Sequence, residues 1–263
     1  MSENETKAPA SLLPFAERVR LVHTDAPFRW LAAGWSDFRH GRGISAAYSL
    51  VFVVGGFVLT AGLVMADLDY LIAPLTTGFM LVGPALTVGF YAISRDLEAG
   101  REPSLSRAFS AWLDNPGPLF AMGLALVVFL VVWLRFAALV FALSFPDVGF
   151  DWERAVTATL FTANGLTFLL LGTAVGGVMA TFAFVAGAFS LPLMLDRRIG
   201  LLEALVTSAT AVVLNPRAMA VWAGLILLFT AAGLASWYLG LCVTLPLIGH
   251  ATWHAYRGVI RPL

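Results

Sequence analysis

Two histidines stand four positions apart near the end of the chain, His250 and His254 in "LPLIGHATWHAYRGVIRP". That spacing sets both imidazoles on one helix face, where they can ligate a metal if a third donor comes from elsewhere. No Asp or Glu lies close to them in sequence, and no Cys-x-x-Cys pair exists. Trp253, Tyr256 and Arg257 lie in the same stretch, and such a mixture also anchors a helix end in the headgroup layer. Metal, haem or proton handling at His250 and His254 therefore stands beside plain anchoring. No cofactor is predicted from these letters alone.

A third candidate is Arg135 in "VVWLRFAALVFAL", the one basic residue within a long apolar run. Arginine at mid-bilayer costs about 2.5–3.5 kcal/mol on insertion scales, so it needs a partner, a route to the interface or a purpose. Asp96 and Asp196, each beside an arginine, are candidates for binding at a cytoplasmic mouth; capping or orienting a short helix is the plainer use. "GTAVGG" at Gly172–Gly177 contains a Gly-x-x-x-Gly spacing that lets helices approach closely. Nucleophile elbow, phosphate-binding loop, zinc-protease motif and c-type haem motif are all missing from the sequence. No enzymatic activity is expected.

What must position these residues is a membrane domain. Apolar residues make up 59% of the 263 and charged residues 12%, against roughly half and a quarter in soluble domains. Several runs exceed the ~18 apolar residues of a spanning helix. Spans are expected from Ile44 to about Ala66, Tyr70 to about Ser94, Pro116 to about Ser144 and Leu166 to Leu195. The last run, Ala218 to about Gly249, would extend ~48 Å as one helix across a ~30 Å core. Two short spans with a turn near Gly233–Ser236 make six in all, and one tilted helix would make five. The expected fold is an all-α polytopic membrane protein of about six spanning helices. Residues 1–24 read as a flexible tail before a single transmembrane domain, 25–263, and they lack the basic start and apolar core of a cleavable signal.

Internal periodicity refines this picture. Asn115-Pro116 and Asn215-Pro216 lie one hundred positions apart, each ahead of a long apolar run. Asn suits a helix cap and Pro the first turn, so each pair is assigned a structural role at a helix start. Asp96 and Asp196 precede their Asn by the same 19 residues, and Pro84–Arg95 and Pro246–Arg257 share an interval of 11. Short amphipathic stretches precede the runs, near Phe28–Phe38, Leu105–Leu113 and Leu201–Val213. The reading is three repeats of interfacial helix plus membrane hairpin, about 26–95, 103–195 and 198–257.

Fourteen of the sixteen Lys and Arg fall on the side of the tail, the two Asp-bearing links and the C-terminus. Arg154 lies on the other side with Asp67, Asp69, Asp147, Asp151 and Glu153. The positive-inside rule then sets both termini in the cytoplasm. Zero formal net charge gives no argument for nucleic-acid binding. Cys242 has no partner for a disulfide within the chain.

The stretches "PFRWLAAGWSDFRHGRGISAAYSLVF", "LVGPALTVGFYAISRDLEAG", "AWLDNPG", "SLPLMLDRR" and "PLIGHATWHAYR" resemble a family of bacterial integral membrane proteins, domain of unknown function 2189, from about residue 20 onward. The resemblance implies the bacterial inner membrane and no known activity. Some members are labelled cytochrome c oxidase subunits. A haem–copper core draws ligands from several histidines on spanning helices, whereas only four His are present and His23 and His40 lie outside the spans. The expected function is a non-catalytic scaffold, assembly factor or accessory subunit. Its expected partners are the lipid bilayer and other membrane proteins or respiratory complexes. A small-solute or lipid transporter is the alternative, and a respiratory haem or metal protein the second.

Overall fold

The computed structural model describes residues 13–145 and 152–262. Twelve α-helices follow one another among them: α1 Ala26–His40, α2 Arg42–Met65, α3 Ile72–Leu86, α4 Val88–Glu98, α5 Leu105–Ser110, α6 Pro116–Ser144, α7 Trp152–Phe161, α8 Ala163–Gly187, α9 Ser190–Arg197, α10 Leu201–Leu214, α11 Pro216–Ala235 and α12 Leu241–Val259. No sheet forms among the described residues, which hold a single antiparallel bridge between Val19 and Ile260.

Five stretches are long and apolar enough to cross a membrane: Arg42–Met65, Asp69–Glu98, Pro116–Ser144, Ala163–Arg197 and Pro216–Ala235. About six were expected from the sequence. The final apolar run does divide in two, with the chain reversing between Ser236 and Gly240 through Trp237 and Tyr238 at positive φ. Its second half, α12, falls short because His250, Thr252, His254, Tyr256 and Arg257 dilute the leucines before Pro246. Two of the five stretches are broken rather than straight. Thr87 Oγ1 donates to the Pro84 carbonyl at 2.7 Å where α3 gives way to α4. The chain bends again at Ala188–Phe189, just ahead of Pro192, since proline cannot supply the amide a straight helix would use.

Packing is concentrated at one end, called here the base. Val88–Ser94 and Ser190–Leu195 are buried without interruption, as is most of α12 beyond Leu245. There α4, α9 and α12 meet, and a surface helix lies along each: α5 on α4, α10 on α9, and α1 on α12. Trp30 meets Trp222 edge-on at 5.7 Å, and Tyr48 meets Phe90 at 4.9 Å. Away from the base the spanning stretches turn their side chains outward. Only 6–22% of each apolar stretch is buried, and Leu124, Leu143, Leu170 and Val178 are among the exposed side chains. A surface of this kind is stable in hydrocarbon and not in water.

Three expectations need correction or limits. First, residues 14–22, assigned to a flexible tail, form a strap: the Arg20 amide donates to the Val259 carbonyl and the Arg261 amide to Arg18, both at 2.8 Å. The strap holds because Val19 is buried beside Ile260. Second, Asn115 and Asn215 do precede helices that open on Pro116 and Pro216, but neither side chain caps its helix. Asn115 Nδ2 donates to the carbonyls of Met194 and Ile199. Asn215 accepts from the Val22 amide and donates to the carbonyls of Arg20 and Ala211. The caps are tertiary stitches. Third, Asp147 and Asp151 lie outside the described residues, as does the side chain of Glu153.

Candidate functional site

Helices α1, α2 and α4 contribute side chains to a network around His250 of α12. Its ring, fully buried on α12, lies 2.9 Å from Ser45 Oγ of α2 at Nε2 and 2.8 Å from Ser94 Oγ of α4 at Nδ1. Ser94 also donates to Asp37 Oδ2 of α1 at 2.7 Å. The same carboxylate oxygen lies 2.8 Å from His254 Nε2. Ionised Asp37 can only accept, so the single Ser94 proton points at it, and the hydrogen on the other side must sit on His250 Nδ1. Nε2 of a neutral ring is then left to accept from the Ser45 hydroxyl. Direction runs through the chain: Ser45 to His250, His250 to Ser94, Ser94 to Asp37.

Position explains why these side chains meet. Gly34 of α1 packs against the Ala251 backbone so tightly that a Cβ there would sit 2.5 Å from the Ala251 nitrogen. Asp37 follows one turn later on the same face, opposite His254. Gly249 brings α12 against Phe90, where an added Cβ would meet the ring at 2.7 Å; His250 follows Gly249 directly, and Ser94 lies one turn beyond Phe90 on α4. Partial burial works to raise the Asp37 carboxyl. The hydrogen bonds from His254 and Ser94, with the His254 imidazole close by, outweigh it and hold the group below the ordinary carboxylate value.

A second polar layer caps the first. Trp253 Nε1 donates to Glu98 Oε2 at 2.9 Å, and Arg257 pairs with Glu98 at 2.9 Å. Tyr256 Oη donates to Asp196 at 2.5 Å, and Arg257 lies 3.7 Å from that carboxylate. Asp96, with a side chain only 4% exposed, accepts from Arg101 at 2.8 Å and Arg107 at 2.7 Å. Arg95 pairs with Asp114 at 2.5 Å and donates to the Leu195 carbonyl. A buried carboxylate such as Asp96 is tolerated because it is doubly paired.

His250 and His254 thus join one network, and Asp196 sits in the layer beside it through Tyr256 and Arg257. Asp96 belongs to a separate knot that fixes the α4–α5 link. Arg135 joins none of these: it is exposed on α6, with no hydrogen bond or ion pair among the described residues. Gly176 of the Gly-x-x-x-Gly spacing packs on Trp133 of the same chain. Sequence reasoning missed Asp37, Ser45, Ser94 and Glu98. Ser45 and Ser49 at a spacing of four, at the head of an apolar run, were the available signal; both are fully buried.

Chemically, the network can hold and pass a proton between hydroxyl, imidazole and carboxylate. Both His250 nitrogens are engaged by serine hydroxyls, and among the described residues no three His, Cys, Asp or Glu side chains gather at ligand spacing. A small cavity of about 60 Å³ lies away from the network, lined by Phe52, Thr60, Phe79 and Tyr238 among others.

Broken apolar helices hung from a polar, latched base define an integral membrane protein with several spanning helices. Residues 71–196 match the family model described as "Predicted integral membrane protein (DUF2189)", so the family resemblance stands over that stretch. It takes in α3 to α9 with Asp96, Asn115 and Asp196, while "PFRWLAAGWSDFRHGRG" and "GHATWHAYR" lie outside it. No curated protein and no solved structure matches the chain.

Proposed function

We propose that this chain is a non-catalytic scaffold or accessory subunit of the bacterial inner membrane, with both ends on the cytoplasmic side. One observation carries the reading: the side chains able to do chemistry at the base are tied to one another. Asp37, Asp96, Asp196 and Glu98 each have a protein partner, while the spanning faces are apolar and turned outward. Such a molecule offers surface to lipids and to neighbouring helices rather than a reaction centre.

Three repeated units support the same reading. Each surface helix lies on the last helix of the preceding unit, α5 on α4 and α10 on α9, and α1 closes the ring on α12. Asn115 stitches to the segment leading into α10, and Asn215 to the segment leading into α1. The first unit lacks this Asn. The cytoplasmic placement of the base is read from the sequence, in which fourteen of the sixteen basic residues fall in the N-terminal stretch, the two Asp-bearing links and the C-terminus. The test is purification of the full chain from native membranes in mild detergent, with its companions identified, and reconstitution into liposomes. Stoichiometric membrane-protein companions and no solute flux are expected. A chain recovered alone that supports flux would overturn the proposal.

A further inference from the structure

The bridge between the two chain ends carries more positive charge than it neutralises. Val19 and Ile260 point inward and are buried. Side chains alternate along extended backbone, so Arg20 and Arg261, which follow the buried pair, turn outward, and Arg18 ends the short Ala16–Arg18 turn beside them. Like charges across such a pair destabilise it unless something compensates. Arg18 has its answer in Glu203 at 2.5 Å. Arg20 and Arg261 have none: their guanidinium groups make no hydrogen bond or ion pair among the described residues, and both line one shallow depression of about 760 Å³ with Leu21 and Pro262. Their backbones are nevertheless held firmly by the Arg20–Val259 and Arg18–Arg261 hydrogen bonds. Two unanswered guanidiniums on a firmly held backbone are suited to receive a phosphate between them. The surroundings indicate which kind: Leu21 is 76% exposed and Leu202, on α10, 77%, both at the same end of the molecule.

We infer that Arg20 and Arg261 bind the phosphate of an anionic phospholipid headgroup, with Leu21 and Leu202 against its acyl region. The site ties the joined chain ends to the inner leaflet, and it rests on the proposed reading of the base as cytoplasmic. Arg198 and Arg217, both exposed nearby in sequence to α10, add to the field that draws such lipids.

The experiment uses the full chain, delipidated in mild detergent and offered phosphatidylglycerol or phosphatidylcholine, with retained lipid read by native mass spectrometry. An about tenfold preference for phosphatidylglycerol is expected, lost in R20Q/R261Q and largely kept in R20K/R261K. Arg39→Gln, which removes an exposed charge at the far end of α1 without touching the depression, should keep the preference. If the double variant does not fold, R20Q and R261Q singly should each weaken retention. Equal retention of the two lipids, or a preference that survives R20Q/R261Q, overturns the inference. Displacement of phosphatidylglycerol by inorganic phosphate would make this a site for free phosphate and overturn the lipid assignment. Labelling of Leu21→Cys only from the outer side would sink the orientation, while the lipid preference would stand by itself.

Discussion

His250 is satisfied only because Ser45, Ser94 and Asp37 are arranged in one direction around it. Ser94→Ala breaks the chain at its centre, leaving Asp37 short of one donor and His250 Nδ1 without an acceptor. Loss of about 1–3 kcal/mol is expected, read as a lowered midpoint in thermal unfolding of the detergent-solubilised chain. Asp37 adds a pH dependence of definite sign. Its folded-state value lies below the ordinary one, so its contribution is fully present above about pH 4. That contribution disappears as pH falls through the lower folded value. Asp37→Asn should therefore be less stable at neutral pH and show a shallower loss as pH falls below about 4 than the parent chain. Parallel curves for the two proteins would remove Asp37 from the acid response.

At the scale of elements, crossings and stitches decide the base. Gly34→Ala inserts a methyl against the Ala251 backbone, and overpacking of this kind costs about 1–3 kcal/mol. Loosening of α1 from α12 should appear as faster amide exchange in both helices, with α6 and α8 unchanged. Asn215→Ala removes the acceptor for the Val22 amide and donors to two carbonyls, so the strap should detach and residues 14–22 become protease-sensitive. Intact protection in that variant would contradict the stitch. These elements were partly legible. Asn-Pro spacing located the starts of α6 and α11 because proline suits a first helical turn. It could not reveal what the Asn amide reaches, since a cap and a tertiary bond need the same residue. The break in the last apolar run was legible from length, which a bilayer limits. The burial of the polar half of α12 at the base was not, because its polar residues look like an interfacial fringe until Ser45 and Ser94 are seen against them. His250 and His254 were found by spacing, but Asp37 lies more than two hundred positions away in the chain and carried no mark.

For the molecule as a whole, stability is divided unevenly. Polar layers and aromatic contacts gather at the base, while the spanning stretches rely on hydrocarbon to cover their outward faces. Withdrawal of lipid should therefore open the outer halves of α6 and α8 first, with the base holding longest. The account depends on one arrangement: both chain ends, α5 and α10 on one side of the bilayer, and the α2–α3 and α11–α12 turns on the other. Single-cysteine accessibility in intact spheroplasts and inverted vesicles tests it directly, with Cys242 replaced by Ala. Leu21→Cys, Leu113→Cys and Gly200→Cys should react with an impermeant maleimide only in inverted vesicles, and Met65→Cys and Trp237→Cys only in spheroplasts. Reaction of positions 21 and 200 from opposite sides, or of 65 and 113 from the same side, would contradict it.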